Sequence, residues 1–103
     1  MVSDQPRLSA QTLKVLGAIS SAQRDELSGA DIGRATKLAS GTLYPILLRL
    51  EQAGWLESRW ETEDPRKLGR PRRRFYRPTE LGIRRARAAF SELEPAFRRF
   101  SWT

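Results

Sequence analysis

Apolar residues in the first part of the chain recur at the spacing of a short amphipathic helix. Leu13, Leu16 and Ile19 fall on one face of a predicted first helix, which Ser9 is suited to cap and which ends near Ser20. The polar stretch SAQRDELSG that follows is interpreted as a connection. The pattern therefore predicts one helix and a polar link to the next element.

Two further helices, separated by a tight turn, follow this link. Ser28 and Asp31 form an S-x-x-D capping box, which predicts a short second helix that ends near Thr36. Ser40 is predicted to cap a third helix, and Gly54 is predicted to end it. The apolar residues of this third helix recur at i, i+3, i+4 and i+7: Leu43, Ile46, Leu47 and Leu50. Two short helices, a turn and a third helix make a helix-turn-helix.

The chain then changes to the alternation of bulky and polar residues that is typical of strands. Trp55–Glu61 and Arg73–Arg77 are predicted to pair as an antiparallel hairpin, and the loop between them contains turn residues. A hairpin directly after a helix-turn-helix is a wing. Its aromatic residues are interpreted as packing against the helices rather than as platforms for stacked bases: Trp55, Trp60, Phe75 and Tyr76.

A final helix is predicted from Thr79, which follows a proline and is a good N-cap. Its apolar residues follow the spacing of a heptad seam: Ile83, Ala86, Phe90, Leu93, Phe97 and Phe100. Ile83 and Ala86 are expected to face the domain itself. Phe90, Leu93, Phe97 and Phe100 are expected to face a second copy of the chain. Pro95 predicts a kink or a break in this helix.

The predicted fold is mainly α with a small β-hairpin, a winged helix-turn-helix followed by a C-terminal dimerisation helix. The winged domain covers residues 1–78, with the recognition helix over 40–54 and the wing over 55–77. The dimerisation helix covers residues 79–103. A chain of 103 residues fits one small domain with a thin core, so burial in a homodimer would add stability.

Several functional classes are excluded by what the sequence lacks. It contains no Cys and no His, which removes the usual nucleophile, general base and transition-metal ligands. Gly29, Gly33 and Gly41 are too widely spaced for a phosphate-binding loop. We therefore expect no enzyme, metal or cofactor. No apolar run approaches the roughly 20 residues of a membrane span, and there is no secretory signal, so the expected location is the cytoplasm.

The charge of the chain points to a polyanionic partner. Nineteen Lys and Arg against twelve Asp and Glu give a net charge of +7, and sixteen of the basic residues are Arg. A run without acids contains seven of them: Arg66, Lys67, Arg70, Arg72, Arg73, Arg74 and Arg77. A solvated loop or a membrane-surface patch is the alternative reading. Nucleic acid is favoured, because the run is broken by Pro and Gly and adjoins a helix-turn-helix.

The start of the third helix and the arginine run supply the candidate DNA contacts. The first turn of such a helix usually enters the major groove, where hydroxyl groups reach phosphates or bases and a glycine allows close approach. Arg49 and Glu51 are alternatively members of structural ion pairs, which is the interpretation favoured for Glu51. The candidate contacts are Lys37, Ser40, Gly41, Thr42, Tyr44, Arg49, Arg70, Arg72, Arg73 and Arg74.

Two segments, SGTLYPILLRLEQAGWLESRWE and GRPRRRFYRPTELG, resemble the signature of the PadR family of bacterial transcriptional regulators. The tyrosine-proline pair inside the recognition helix makes this pattern fairly specific. The matching residues are Ser40, Gly41, Thr42, Leu43, Tyr44, Pro45, Arg49, Leu50, Glu51, Gly54, Leu56, Trp60, Gly69, Arg72, Arg73, Tyr76, Thr79 and Gly82.

The resemblance implies a winged helix-turn-helix homodimer, usually a repressor, that pairs through its C-terminal helix. Some family members bind small aromatic or hydrophobic ligands near the dimer interface, so a small aromatic effector is a further expected partner. This chain departs from the family in having Ala30 where an aromatic residue is common and Pro78 where Leu is usual. Its C-terminal part is a single short helix, as in the family's shorter branch.

The functional prediction is a sequence-specific DNA-binding transcriptional regulator, a repressor that binds a palindromic operator as a homodimer. One alternative is a basic winged domain that binds structured RNA, or binds DNA without sequence specificity. Another is a protein-interaction domain, which the arginine run fits poorly.

Overall fold

The computed structural model describes residues 6–21 and 26–101, with residues 96–101 described through their backbone alone. Within these ranges the chain is mainly helical with a small antiparallel sheet, which confirms the predicted fold class. In chain order the elements are α1 Ala10–Ser21, β1 Leu27–Ser28, α2 Gly29–Thr36, α3 Ser40–Gln52, β2 Leu56–Trp60, α4 Pro65–Leu68, β3 Arg74–Pro78 and α5 Glu80–Ser101. None of the described helices is long and apolar enough to cross a bilayer.

The three strands form one antiparallel sheet in the order β1-β3-β2. β2 and β3 form the predicted hairpin, with Ser58 opposite Tyr76 and Trp60 opposite Arg74. The strand β1 adds to the other edge of β3 and places Leu27 opposite Tyr76. It lies in the segment interpreted as a connection, because a strand of two residues is too short to produce an alternating pattern.

The loop of the wing contains one helical turn, α4, which the sequence analysis did not predict. The Asp64 side chain accepts a hydrogen bond from the Arg66 backbone N–H at 2.9 Å. Pro65 occupies the first turn, where its missing N–H costs nothing, and Gly69 ends the turn with φ 68°. The Asp-Pro pair therefore acts as a helix start rather than as a simple turn.

The capping box predicted for α2 is present. The Ser28 hydroxyl accepts from the Asp31 N–H at 3.0 Å, and the Asp31 carboxylate accepts from the Ser28 N–H at 3.1 Å. This second bond is the main reason that the pKa of Asp31 lies below its usual value. The start of the helix-turn-helix is therefore held by local bonds.

The prediction that Ser40 caps α3 is wrong. Ser40 is already helical, and the N-cap is Ala39, which has an extended backbone and no side-chain capping bond. The Ala39 carbonyl instead accepts from the N–H groups of Thr42 and Leu43, at 3.0 and 2.9 Å. The other end agrees with the sequence analysis, since Gly54 follows the helix with φ 81°.

The hydrophobic core lies where α1, α2, α3 and the start of α5 meet the sheet. All four residues of the predicted α3 stripe are at most 3% exposed. The core residues are Val15, Leu16, Ile19, Ile32, Leu43, Ile46, Leu47, Leu50, Trp55, Leu56, Tyr76 and Ala86. The core thus fixes which face of α3 is left for solvent.

The start of α5 packs on the chain just after α3. Thr79 caps this helix, since its hydroxyl accepts from the Gly82 N–H at 3.0 Å. A Cβ at Gly82 would collide with the Trp55 carbonyl, so the helix approaches the domain through its glycine. Ile83, which was expected to face inward, is instead 37% exposed, while Ala86 is buried as predicted.

The helix α5 continues through Pro95 to Ser101, so Pro95 does not break it, and the alternative of a kink stays a prediction. Pro95 removes one backbone donor, but about four helical turns precede it, and the loss of a single bond does not end so long a helix. Phe90 and Leu93 are 37% and 45% exposed. The side chains of Phe97 and Phe100, the other predicted interface residues, lie outside the described residues.

Candidate nucleic-acid interface

The first turns of α3 present polar residues to solvent. Ser40, Gly41, Thr42 and Tyr44 are all exposed. The apolar stripe of the helix faces the core, so the helical period of about 100° per residue leaves this face outside. Leu48, one turn after Tyr44, is 55% exposed and adds an apolar position to the same face.

A cleft of about 440 Å³ lies between α3, the start of α2 and the wing. We refer to it as the α3–wing cleft. It brings together four of the sequence-predicted contacts, Tyr44, Arg72, Arg73 and Arg74, and none of its lining residues is acidic. The lining residues are Ser28, Gly29, Ala30, Tyr44, Trp60, Arg72, Arg73, Arg74 and Tyr76.

Arg70, which was predicted to contact DNA, forms an ion pair within the wing. Its guanidinium donates to both carboxylate oxygens of Glu61, at 2.6 and 3.0 Å. The Arg73 backbone N–H also donates to Glu61, at 2.8 Å. These bonds lower the pKa of Glu61 to about 2, and the hydrogen bonds from Arg70 contribute most to the shift. Arg70 and Glu61 therefore fix the shape of the wing tip.

Arg74 is held between the wing and the recognition helix. Its Nε donates to the Ser58 hydroxyl at 2.9 Å, and its guanidinium lies 3.5 Å from the Glu51 carboxylate. Ser58 in turn donates to Glu51 at 2.5 Å. The structural ion pair favoured for Glu51 is therefore present, although its partner comes from the hairpin rather than from a helix.

The remaining predicted cations are left with few protein contacts. Arg72 donates to the Glu63 carbonyl oxygen at 3.0 Å. The side chains of Lys37, Arg49 and Arg73 make no ion pair within the described part of the chain and are exposed. Of these three, Arg73 alone lines the cleft, so Lys37 and Arg49 lie apart from it.

Trp60 was expected to pack the hairpin against the helices, and that expectation is wrong. It is 55% exposed at the edge of the cleft, whereas Trp55 is 3% exposed in the core. The Arg74 guanidinium lies 5.3 Å from the Trp60 ring centroid. Strand alternation identified the face of Trp60 but not how far the core extends along the hairpin, so no pattern in the sequence indicates that Trp60 is exposed.

Among the described residues, no group of three or more carboxylate, imidazole or thiol side chains is close enough to hold an ion.

A family model matches the part of the chain that forms this site. Residues 25–88, which include α2, α3, the wing and the start of α5, match the transcriptional regulator PadR-like family. The chain belongs to this family. The family consists of transcriptional regulators with a DNA-binding winged helix, so the exclusion of an enzyme agrees with it. A comparison with curated proteins found no match.

Solved structures share the fold of this PadR-like chain. A PadR family transcription regulator from hypervirulent Clostridium difficile R20291 is 17% identical, with a TM-score of 0.73 over 90% of this chain and 96% of its own. A PadR family regulator from Eggerthella lenta is 24% identical, with a TM-score of 0.67 over 84% and 77%. S. aureus MepR in a DNA-binding conformation is 21% identical, with a TM-score of 0.72 over 91% of this chain. The PadR-like chain spans 64% of the length of MepR.

Proposed function

We propose that this PadR-like chain binds double-stranded DNA at a palindromic operator as a homodimer and represses transcription there. The observation that carries the proposal is the α3–wing cleft, which joins an exposed tyrosine of α3 to arginines of the wing without an acidic lining residue. Such a surface complements the phosphate backbone of DNA. MepR, which shares the fold, was solved in a DNA-binding conformation. A repressor of this kind acts on the nucleoid, in the cytoplasm.

In the proposed complex the first turns of α3 enter the major groove. Ser40, Thr42 and Tyr44 offer hydroxyl groups to base edges or phosphates, and all three residues are exposed. Arg72 and Arg73, at the end of the wing loop, contact the adjacent backbone or minor groove. The helix then supplies sequence specificity, while the wing supplies affinity that falls with salt.

Residues 1–78 are the DNA-binding unit of this proposal, and residues 79–103 pair two copies. Phe90 and Leu93 lie on the apolar side of α5 and are 37% and 45% exposed. Apolar side chains that the single chain leaves exposed are buried when a second copy packs against them, and this burial stabilises the dimer. A two-fold dimer is the default arrangement. Such a dimer presents two α3 helices to half-sites about one helical turn apart.

Footprinting on the DNA upstream of the protein's own gene tests the function. We expect two protected half-sites related by a two-fold axis, with much weaker binding to a random duplex. Transcription from that promoter in vitro should fall as the protein is added. Equal affinity for random DNA or for a structured RNA would contradict the proposal and favour a basic domain without sequence specificity.

Substitution on α5 tests the dimer separately. Leu93→Glu places a charge on the exposed apolar stripe and should give a monomer by light scattering, because a buried unpaired charge opposes association. Ser91→Glu is the matched control, since residue 91 lies on the opposite side of the helix at about 100° per residue. A dimer that survives Leu93→Glu unchanged contradicts this part of the proposal.

A further inference from the structure

Gly29 and Tyr44 touch at the inner end of the α3–wing cleft. A Cβ placed on Gly29 would collide with the Tyr44 hydroxyl oxygen and would lie 3.0 Å from the ring atoms Cε1 and Cζ. The three atoms nearest to that Cβ all belong to Tyr44. The tyrosine ring of the recognition helix therefore lies directly across the first residue of α2.

The backbone at Gly29 does not itself require a glycine. Gly29 is the first residue of α2, and among the described residues the glycines with positive φ are Gly54 and Gly69. An alanine at this position fits a helix and favours it more than glycine does. What the missing side chain provides is room for the Tyr44 ring.

Tyr44 is in contact with Gly29 and is nevertheless partly exposed to solvent. Its ring rests against Gly29, yet the residue is 46% exposed and its hydroxyl makes no hydrogen bond within the described part of the chain. Arg72 and Arg73 line the same cleft. A phenol held in a fixed position, with its donor free and arginines nearby, is suited to a phosphate or a base edge.

We infer that Gly29 is a positioning residue for DNA binding, which acts by seating Tyr44 in the α3–wing cleft. This inference rests on the proposed function, because it assigns to Gly29 a role in the same interface. A side chain at position 29 turns Tyr44 away from the cleft, and the hydroxyl then no longer meets the DNA. The fold remains, because the atoms displaced are the far end of one flexible side chain rather than backbone.

Gly29→Ala is the direct test, with Gly33→Ala in the same helix as the matched control. A Cβ on Gly33 meets only ordinary contacts, 3.6 Å to Leu43 Cδ2 and 3.8 Å to the Leu38 carbonyl oxygen. We expect Gly29→Ala to weaken the binding of each protomer to its half-site roughly tenfold, the size of one lost hydrogen bond to a charged group. Gly33→Ala should bind as the unmodified protein does, and neither variant should melt at a lower temperature.

A double-mutant cycle with Tyr44→Ala separates positioning from other effects. In the Tyr44→Ala background the Gly29→Ala change should cost no further affinity, because the ring that it displaces is gone. Equal losses in both backgrounds, or no loss in either, would overturn the inference. An NMR contact between the Tyr44 ring and the Gly29 Hα protons, expected in the unmodified protein and absent from Gly29→Ala, needs no DNA. If the unmodified protein binds no operator, the proposed function fails, while this contact still reports whether Gly29 seats Tyr44.

Discussion

Side chains alternate between the two faces of the β2–β3 hairpin, so both faces draw on the same arginine-rich and aromatic-rich sequence. The register defines an inner face, towards α3, of Ser58, Trp60, Arg74 and Tyr76. It also defines an outer face of Glu57, Arg59, Phe75 and Arg77. Each face carries an arginine over an aromatic ring, and the two faces differ in what surrounds that pair.

On the outer face the charges neutralise one another. Arg59 forms an ion pair with Glu26 at 2.7 Å and lies 5.2 Å from the Phe75 ring centroid. Arg77 pairs with Glu57 at 2.6 Å. Exposed pairs of this kind add little to stability, because water and salt screen the two charges. Their larger effect is that this face of the wing carries no net excess of positive charge.

On the inner face the charge balance changes along the hairpin. Near α3, Arg74 is matched by Glu51 and Ser58. Beyond that point the face opens into the cleft, where Trp60 is exposed and Arg73 has no ion pair within the described residues. We therefore expect the position of the acids, rather than that of the arginines, to decide where the wing attracts a polyanion.

The largest expected difference in DNA affinity is between removing two arginines at the cleft and removing two from the outer face. Arg72→Ala with Arg73→Ala should weaken the binding of each protomer to its half-site roughly a hundredfold, because each arginine donates to a phosphate in the proposed complex. The slope of log affinity against log salt should fall by about 1.8 for each protomer, and so by about 3.6 for the dimer, at about 0.9 for each lost phosphate contact. Binding to random duplexes should weaken in the same proportion. Titrations at several salt concentrations measure both quantities.

The matched control removes the same number of charges from the outer face. Arg59→Ala with Arg77→Ala should leave the salt slope unchanged, because both arginines are already paired with carboxylates. If the two double variants lose affinity equally, net charge alone governs binding and the distinction between the faces is wrong.

The two arginine-covered rings give the next contrast. Trp60→Ala should weaken DNA binding roughly fivefold and leave stability almost unchanged, because Trp60 is exposed at the cleft. Phe75→Ala should do the reverse, since Phe75 is half-buried on the outer face and truncation costs about 1–2 kcal/mol. Urea unfolding measures the stability of both variants, and DNA titration measures their affinity. If Phe75→Ala loses as much DNA affinity as Trp60→Ala does, the two faces of the hairpin do not differ in DNA binding.

The parts of this fold that the sequence predicted are those set by neighbours in the chain. The α3 stripe is visible because four apolar residues recur at helical spacing, and all are buried. The Ser28–Asp31 capping box is visible because both partners lie within one turn. The resemblance of residues 40–82 agreed with the winged arrangement that strand alternation had already predicted.

Several of the features that the sequence did not predict depend on contacts between distant residues. Arg59 meets Glu26 across 33 positions, and nothing in the spacing of charges distinguishes this arginine from the exposed Arg73. The inward face of α5 was assigned to Ile83 by the heptad pattern, but close contact with Trp55 selects Gly82 instead. Among the candidate contacts, Arg70 belongs to the same class, since its pairing with Glu61 needs the folded loop.

Glu61→Gln tests how firmly the wing tip is held. The pKa of Glu61 in the folded chain is about 2, below its usual 4.5, so its bonds stabilise the wing above pH 4.5 and are lost as the pH falls towards 2. At pH 7 the variant should exchange its Arg73 amide hydrogen several-fold faster, roughly in line with one weakened local bond. The difference in protection should shrink between pH 4.5 and 2 and vanish below.

Glu63→Gln, two residues further along the loop, is the control for this change, since its carboxylate is exposed and bonds only to the adjacent backbone N–H of Asp64. Its protection at Arg73 should follow the unmodified protein at every pH. Equal protection of Arg73 in Glu61→Gln and the unmodified protein at pH 7 would show that the wing tip is shaped without Glu61.

The smallest expected effect concerns the link between the inner face and α3. Ser58 is half-buried, donates to Glu51 and accepts from Arg74, so Ser58→Ala removes the hydroxyl that joins the two charges. We expect the free energy of unfolding to fall by about 1 kcal/mol, or the melting temperature by roughly 4–8 °C. Arg77→Ala, which breaks an exposed pair on the outer face, should cost less than half as much. Because the Ser58 bridge lies at the α3 end of the hairpin, its loss should also let the wing move relative to the recognition helix. If Ser58→Ala and Arg77→Ala cost the same, the inner network is as weak as the outer one, and only the cleft distinguishes the two faces.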